Sequence, residues 1–161
     1  MGSQAVSRVA QLCSSVERPS QLLLLQGTLN GFACKFLVDC GASENFVSTG
    51  FLSRHNLEFS HQTDQPMVRF PNGDSQSCPG IYSHARINFN GHTTMADFVV
   101  TQLPHFEAVL GMPWLKQTNP SIDWDNLTLR VSTKRSVILL PSVLGKTDSS
   151  PFPILSALQF K

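Results

Sequence analysis

Apolar residues in this chain come in short runs, and glycine, proline or asparagine closes most of them. Runs at 22–29 and 32–38 flank Asn30-Gly31, runs at 67–70 and 75–81 flank Asn72-Gly73, and runs at 83–89 and 92–100 flank Asn90-Gly91. Asn-Gly between β-prone runs is the strongest short-range hairpin signal, because both residues tolerate positive φ. The pattern therefore predicts three hairpins. It adds a strand at 106–110 that ends at Gly111, a hairpin of 122–124 with 128–131 turning at Asp125-Asn126, and a strand at 136–140. Two short helices fit between the strands. One starts at Ser43 or Asn45 and runs through Phe46, Val47, Phe51 and Leu52. The other covers 112–117, with Pro113 at a first-turn position and a stop before Asn119-Pro120. Strands at this spacing, with no long helix, predict an all-β barrel or sandwich.

Composition narrows the class. A chain of 161 residues is one domain with tails, or two very small ones. Its apolar fraction of 41% supports a single core, while the longest apolar run, Leu22 to Leu25, is far short of the ~20 residues of a membrane span. Charged residues make up 14%, against a typical ~25%, and the net charge is +1. The densest basic cluster is the pair Lys134-Arg135, read as a solvated hairpin end, so no nucleic-acid binding is expected. Cys13, Cys34, Cys40 and Cys78 form no Cys-x-x-Cys pair and no zinc pattern with the five histidines. No metal and no cofactor are expected. The first ten residues lack the apolar core of a secretory signal, so the thiols read as free in a reducing, cytoplasmic setting. The sequon Asn126-Leu127-Thr128 is then a chance match. Residues 1–20, rich in Ser, Gln and Arg, read as a flexible leader. Residues 21–140 read as the compact domain, and 141–161, with Pro141, Pro151 and Pro153, as a linker or tail.

The chemistry concentrates in Phe36-Leu37-Val38-Asp39-Cys40-Gly41-Ala42-Ser43. An acidic residue directly after three apolar strand residues is costly to bury alone. Gly41 and Ala42 let the chain turn tightly and let other backbone approach. Such a segment presents one carboxylate at the end of a buried strand, braced by peptide N–H groups. A faint echo occurs at Ala108-Val109-Leu110-Gly111, again an apolar strand broken at a glycine with a helical pattern behind it.

Val38-Asp39-Cys40-Gly41-Ala42-Ser43 resembles the Asp-[Thr/Ser]-Gly-Ala-[Ser/Asp] motif of the retropepsins, the aspartic proteases of retroviruses and LTR retrotransposons. Phe98-Val99-Val100, Val109-Leu110-Gly111-Met112-Pro113-Trp114-Leu115 and Asn119-Pro120-Ser121-Ile122-Asp123-Trp124 look like the protease region of gypsy-type retrotransposon polyproteins, in the same order over about 21–131. The stretch 154–159 also looks like the segment on the C-terminal side of protease in such polyproteins. The resemblance implies a small closed barrel that works as a homodimer and cuts extended peptides, within its own polyprotein. Asp39 is then the catalytic carboxylate, with Cys40, Gly41, Ala42 and Ser43 supporting its loop. Val109, Leu110 and Gly111 form a second loop. Phe70, Pro71, Asn72, Gly73 and Asp74 form a flap hairpin that closes over the substrate. Only one Asp-x-Gly-Ala context is present, so the second carboxylate must come from Asp39 of another copy.

Cys40 departs from the family's Thr or Ser, whose hydroxyl ties the two active loops together; a thiol is a weak donor. A catalytically weak or inactive retropepsin-like domain, kept for dimerisation or peptide binding, is the alternative. Other readings are plainer. Cys40 as a cysteine nucleophile lacks a histidine placed by any motif. Ser43 reads first as a helix cap. His55, His61, His84, His92 and His105 read as surface or packing residues. Asp123 and Asp125 read as a turn beside a packed Trp124, with Trp114 and Trp124 both in the core.

Overall fold

The computed structural model describes residues 22–70 and 73–143, and the backbone of 159–160. The elements in chain order are β1 (Leu24–Leu29), β2 (Phe32–Val38), β3 (Phe46–Ser48), α1 (Thr49–Arg54), β4 (Ser60–His61), β5 (Met67–Arg69) and β6 (Ser75–Ser77). They continue with β7 (Gly80–Phe89), β8 (His92–Thr101), β9 (Ala108–Leu110), α2 (Met112–Thr118), β10 (Ser121–Asp123), β11 (Thr128–Ser132), β12 (Val137–Pro141) and β13 (Gln159–Phe160). Pairing in the order β1-β2-β9-β3-β8-β7, with β7 returning to β1, closes six strands into a barrel, and β4 adds to β7. Strands β10, β11 and β12 form a separate antiparallel sheet, and β13, β5 and β6 another. The fold is thus the closed, mostly β architecture with two short helices that the resemblance implies.

Local chemistry sets the hairpins. Asn30 and Gly31 sit at φ 47° and 87°, and Asn90 and Gly91 at 50° and 86°. Positive φ at both central residues is the turn that matches the twist of the flanking strands. Inward alternation then builds the core, but with one change of phase. In β7, Gly80 and Tyr82 are buried, and after an irregularity between Tyr82 and Ala85 the buried set is Ala85, Ile87 and Phe89. A bulge adds one residue to one strand, so inward parity moves from even to odd; His84, at φ 52°, carries the kink.

Two apolar clusters fill the interior. The larger gathers Phe36, Phe51, Phe89, Phe98 and Trp114 with the inward residues of the β10–β12 sheet. Phe89 meets Trp114 edge-on, with ring centroids 6.1 Å apart, a favoured aromatic geometry. The smaller joins Leu24, Leu37, Ala42, Phe46, Val68, Val99, Phe106 and Val109.

Several elements differ from the expectation. Phe46 and Val47 are strand, not helix; α1 starts after Ser48, whose Oγ accepts the N–H groups of Gly50 and Phe51 at 3.1 and 3.4 Å. The helix cap is Ser48, not Ser43 or Asn45. The run at 75–81 splits, because β6 ends at Ser77 and Gly80 and Ile81 belong to β7. Trp124 is 63% exposed, whereas Trp114 is fully buried. The turn at Asp123 does form, its carboxylate accepting from the Asn126 backbone N–H and side-chain amide. The expected leader lies outside the described residues. Of the expected tail, Pro141 closes β12, Ser142 Oγ bonds Leu22 and Leu24, and 159–160 pair with β5. No helix of the described residues is long and apolar enough to cross a membrane.

Candidate active site

β9 lies between β2 and β3. It runs parallel to β2, with Val38 opposite Leu110, and antiparallel to β3, with Phe46 opposite Val109. The chain therefore leaves β2, passes over the end of β9 and returns on the far side. Asp39 begins that crossing. Its N–H donates to the Leu110 carbonyl at 3.0 Å, while the preceding Val38 N–H donates to Leu23 O at 2.9 Å. These bonds fix the backbone on both sides of the carboxylate.

The crossing is tight. Gly41 N–H donates to Asp39 Oδ1 at 2.8 Å, and Ala42 N–H donates to the Asp39 carbonyl at 3.2 Å. Met112 N–H donates to Ala42 O at 2.9 Å, which ties the start of α2 to the loop. A Cβ at Gly111 would lie 2.1 Å from Glu44 O and 2.8 Å from Ala42 O, so only glycine admits the loop this closely. The close backbone approach occurs at Gly111, for which the sequence offered only a strand broken at a glycine. The other carboxylate oxygen, Asp39 Oδ2, is out of contact with solvent and has no hydrogen-bond partner among the described residues. A carboxylate oxygen left in that state is costly.

Asn45 belongs to this site although no sequence motif assigns it there. It is 2% exposed. Its Oδ1 accepts the Gly111 N–H at 3.0 Å, and its Nδ2 donates to Asp97 O at 3.1 Å. Its own carbonyl accepts the Val99 N–H at 2.8 Å. One side chain thereby joins the active loop, the second loop and β8. The sequence signal is a polar residue six positions after the acid, directly before an apolar strand, and that pattern also fits a helix start.

The remaining expected residues lie in the core, on the loop surface and in the β5–β6 hairpin. Val109, Leu110 and Ala42 are fully buried and act from the core. Cys40 is exposed, and its thiol is in no disulfide among the described residues. Phe70, Gly73 and Asp74 lie at the end of the β5–β6 hairpin: Phe70 N–H donates to Asp74 O at 2.8 Å, and Gly73 N–H to Phe70 O at 3.0 Å. Pro71 and Asn72 lie outside the described residues. The hairpin root is anchored by Val68 and Cys78, both fully buried in the cluster that also holds Ala42 and Leu37. The root of the β5–β6 hairpin and the loop after Asp39 therefore share one apolar support. Burial pushes the Cys78 thiol above its usual range, so it stays neutral there. No group of His, Cys, Asp and Glu that could hold a metal occurs among the described residues.

Residues 35–137 match a family model described as the PEG10/RTL1 protease domain. That span runs from β2 into β12 and includes Asp39, the hairpin and the second loop. Among solved structures, the chain is similar to the crystal structure of the retroviral protease-like domain of Ddi1 from Leishmania major. The identity is 19%, the match covers 77% of this chain and 95% of that one, and the TM-score is 0.60. A likeness at that identity is one of fold.

Proposed function

The chain belongs to the PEG10/RTL1 protease domain family, and on that premise we propose that it is an aspartic endopeptidase that works as a homodimer on extended peptides. The observation that carries the reading is Asp39: Oδ1 is held by Gly41 N–H, and Oδ2 is buried without a partner among the described residues. The described residues of a single copy leave that oxygen unsatisfied. A second copy related by a two-fold axis supplies a matching carboxylate, and two carboxylates about 3 Å apart share one proton.

The reaction then needs only water. The ionised member of the pair takes a proton from a water molecule, whose oxygen attacks the scissile carbonyl carbon. The protonated member gives its proton to the carbonyl oxygen. Collapse of the resulting diol breaks the C–N bond: one diol hydroxyl returns its proton to the carboxylate that had given one up, and the carboxyl that took the water proton delivers it to the leaving nitrogen, which restores the shared-proton pair. The β5–β6 hairpin holds substrate through main-chain bonds and excludes water on closure. In support, the edge of β5 accepts an antiparallel strand, with Gln159 opposite Arg69 and Phe160 opposite Val68. The proposed substrate is the polyprotein in which such domains reside, in the cytoplasm, where the free thiols Cys34, Cys40 and Cys78 persist.

The test is peptide cleavage by wild type and Asp39→Asn over a concentration series. The expected result is a rate per chain that falls on dilution and a loss of about 10²–10⁴-fold or more in the variant. Undiminished cleavage by Asp39→Asn overturns the proposal.

A further inference from the structure

A second concave site lies at the other end of the β7–β8 hairpin from the strand ends that pair with β3. There the turn at Asn90-Gly91 faces the turn between β11 and β12. Together they line a cavity of about 470 Å³ with Asn90, His92, Thr133, Lys134, Arg135 and Ser136. The two turns come from different sheets and from positions some forty residues apart in the chain. Val99, whose N–H donates to Asn45 O beside the Asp39 loop, is seven residues along β8 from His92, so this end lies roughly 23 Å along the strand from there, at about 3.3 Å per residue. It is separate from Asp39.

Both turns are held by their own bonds, so the cavity does not depend on a ligand for its shape. Thr133 Oγ1 accepts the Arg135 and Ser136 N–H groups at 3.3 and 3.0 Å and lies 3.2 Å from Ser136 Oγ. Asn88 Oδ1 accepts the Gly91 N–H at 3.2 Å, and Asn88 Nδ2 donates to Thr93 Oγ1 at 2.9 Å. The lining carries two permanent cations and a histidine, and no carboxylate. The ion pair found among the described residues, Arg54 with Glu107, lies elsewhere, so Lys134 and Arg135 have no acidic partner there. Adjacent cations on the rim of one depression, with no carboxylate in its lining, leave a positive field, and guanidinium and ammonium groups are suited to phosphate oxygens.

We propose that this cavity binds a phosphate-bearing anion, with Lys134 and Arg135 as the charged contacts and His92, Asn90 and Ser136 as further donors. The chemistry is shared by free phosphates and by the phosphates of a nucleic-acid strand. From sequence alone Lys134-Arg135 is a solvated turn, because only the fold places His92 and Asn90 opposite it.

The test is an NMR titration of the full chain with inorganic tripolyphosphate and, separately, with a short single-stranded oligonucleotide. Saturable shifts at 90–92 and 133–138 are expected with one or both probes. Saturation by tripolyphosphate alone identifies a free phosphate ligand, and tighter saturation by the oligonucleotide identifies a strand. The double variant Lys134→Glu/Arg135→Glu should bind about tenfold or more weakly, while Lys116→Glu, a charge change of the same kind on α2, should bind as wild type does. Asp39→Asn should also bind unchanged, which separates this site from the protease reading. Absence of saturable shifts with both probes, or equal weakening by Lys116→Glu, overturns the proposal.

Discussion

The carboxamide of Asn45 accepts the Gly111 N–H at 3.0 Å across 66 residues of chain, and the same side chain donates to Asp97 O. The first bond is buried and the second part-buried, at a residue 2% exposed. They hold the loop that bears Asp39 against the end of β9. Asn45→Ala leaves the buried Gly111 N–H unpaired, at about 1–3 kcal/mol, and takes the donor from the part-buried Asp97 carbonyl. Urea denaturation should show a loss of about 2–5 kcal/mol. Asn45→Asp keeps the acceptor for Gly111 but buries a charge and sets a carboxylate oxygen against the Asp97 carbonyl, so it should cost at least as much as Asn45→Ala.

Gly111 and Gly31 separate two reasons for glycine. At Gly111 an added Cβ meets Glu44 O at 2.1 Å, whereas at Gly31 it meets nothing within 4 Å but φ is +87°. Gly111→Ala should cost about 3 kcal/mol or more, since the contact is backbone and cannot rotate away. Gly31→Ala should cost about 1 kcal/mol, from the left-handed conformation alone. Thermal melts of the two variants check the order; the reverse order contradicts it.

The tryptophans should behave oppositely. Trp114 is fully buried against Phe89, and Trp124 is 63% exposed. Trp114→Ala should cost about 3–5 kcal/mol and Trp124→Ala no more than about 0.5 kcal/mol. In the native protein, acrylamide should quench only the fluorescence that Trp124→Phe removes.

Alkaline stability is set partly by Cys34. Burial first, and the Glu107 carboxylate second, push its thiol well above the ordinary 9.0. The unfolded chain gives up this proton near pH 9.0 while the folded chain keeps it, so the unfolded state binds fewer protons there. Stability from this group is fully present below that pH and is lost as pH rises beyond it. Cys78 and Tyr82 shift in the same direction, also through burial. Cys34→Val should therefore flatten, without abolishing, the fall in Tm between about pH 8 and pH 10.

Cys40 tests the dimer. Its thiol is exposed in the single copy, so Cys40→Thr should change monomer stability by no more than about 0.5 kcal/mol. If the side chain faces its mate across the proposed two-fold axis, the hydroxyl should tighten association. Sedimentation of wild type and variant over a dilution series reads this, and equal dissociation constants contradict it.

What the sequence by itself determined was local. Asn30-Gly31 and Asn90-Gly91 specified their hairpins because positive φ is decided within two residues. Met112 and Pro113 opened α2, and Val38-Asp39-Cys40-Gly41 put a carboxylate at a strand end. The tertiary structure decided the rest. β9 inserts between β2 and β3, which no periodicity encodes, and that insertion makes Asn45 a partner of Gly111 rather than a helix start. The bulge in β7 resets which residues face inward, so alternation alone misleads past Tyr82. Trp124, in the turn directly after β10, stays 63% exposed, although a large apolar ring by itself argues for the core. Turns answer to neighbours in sequence; closure and burial answer to strands that meet only after the chain has come back on itself.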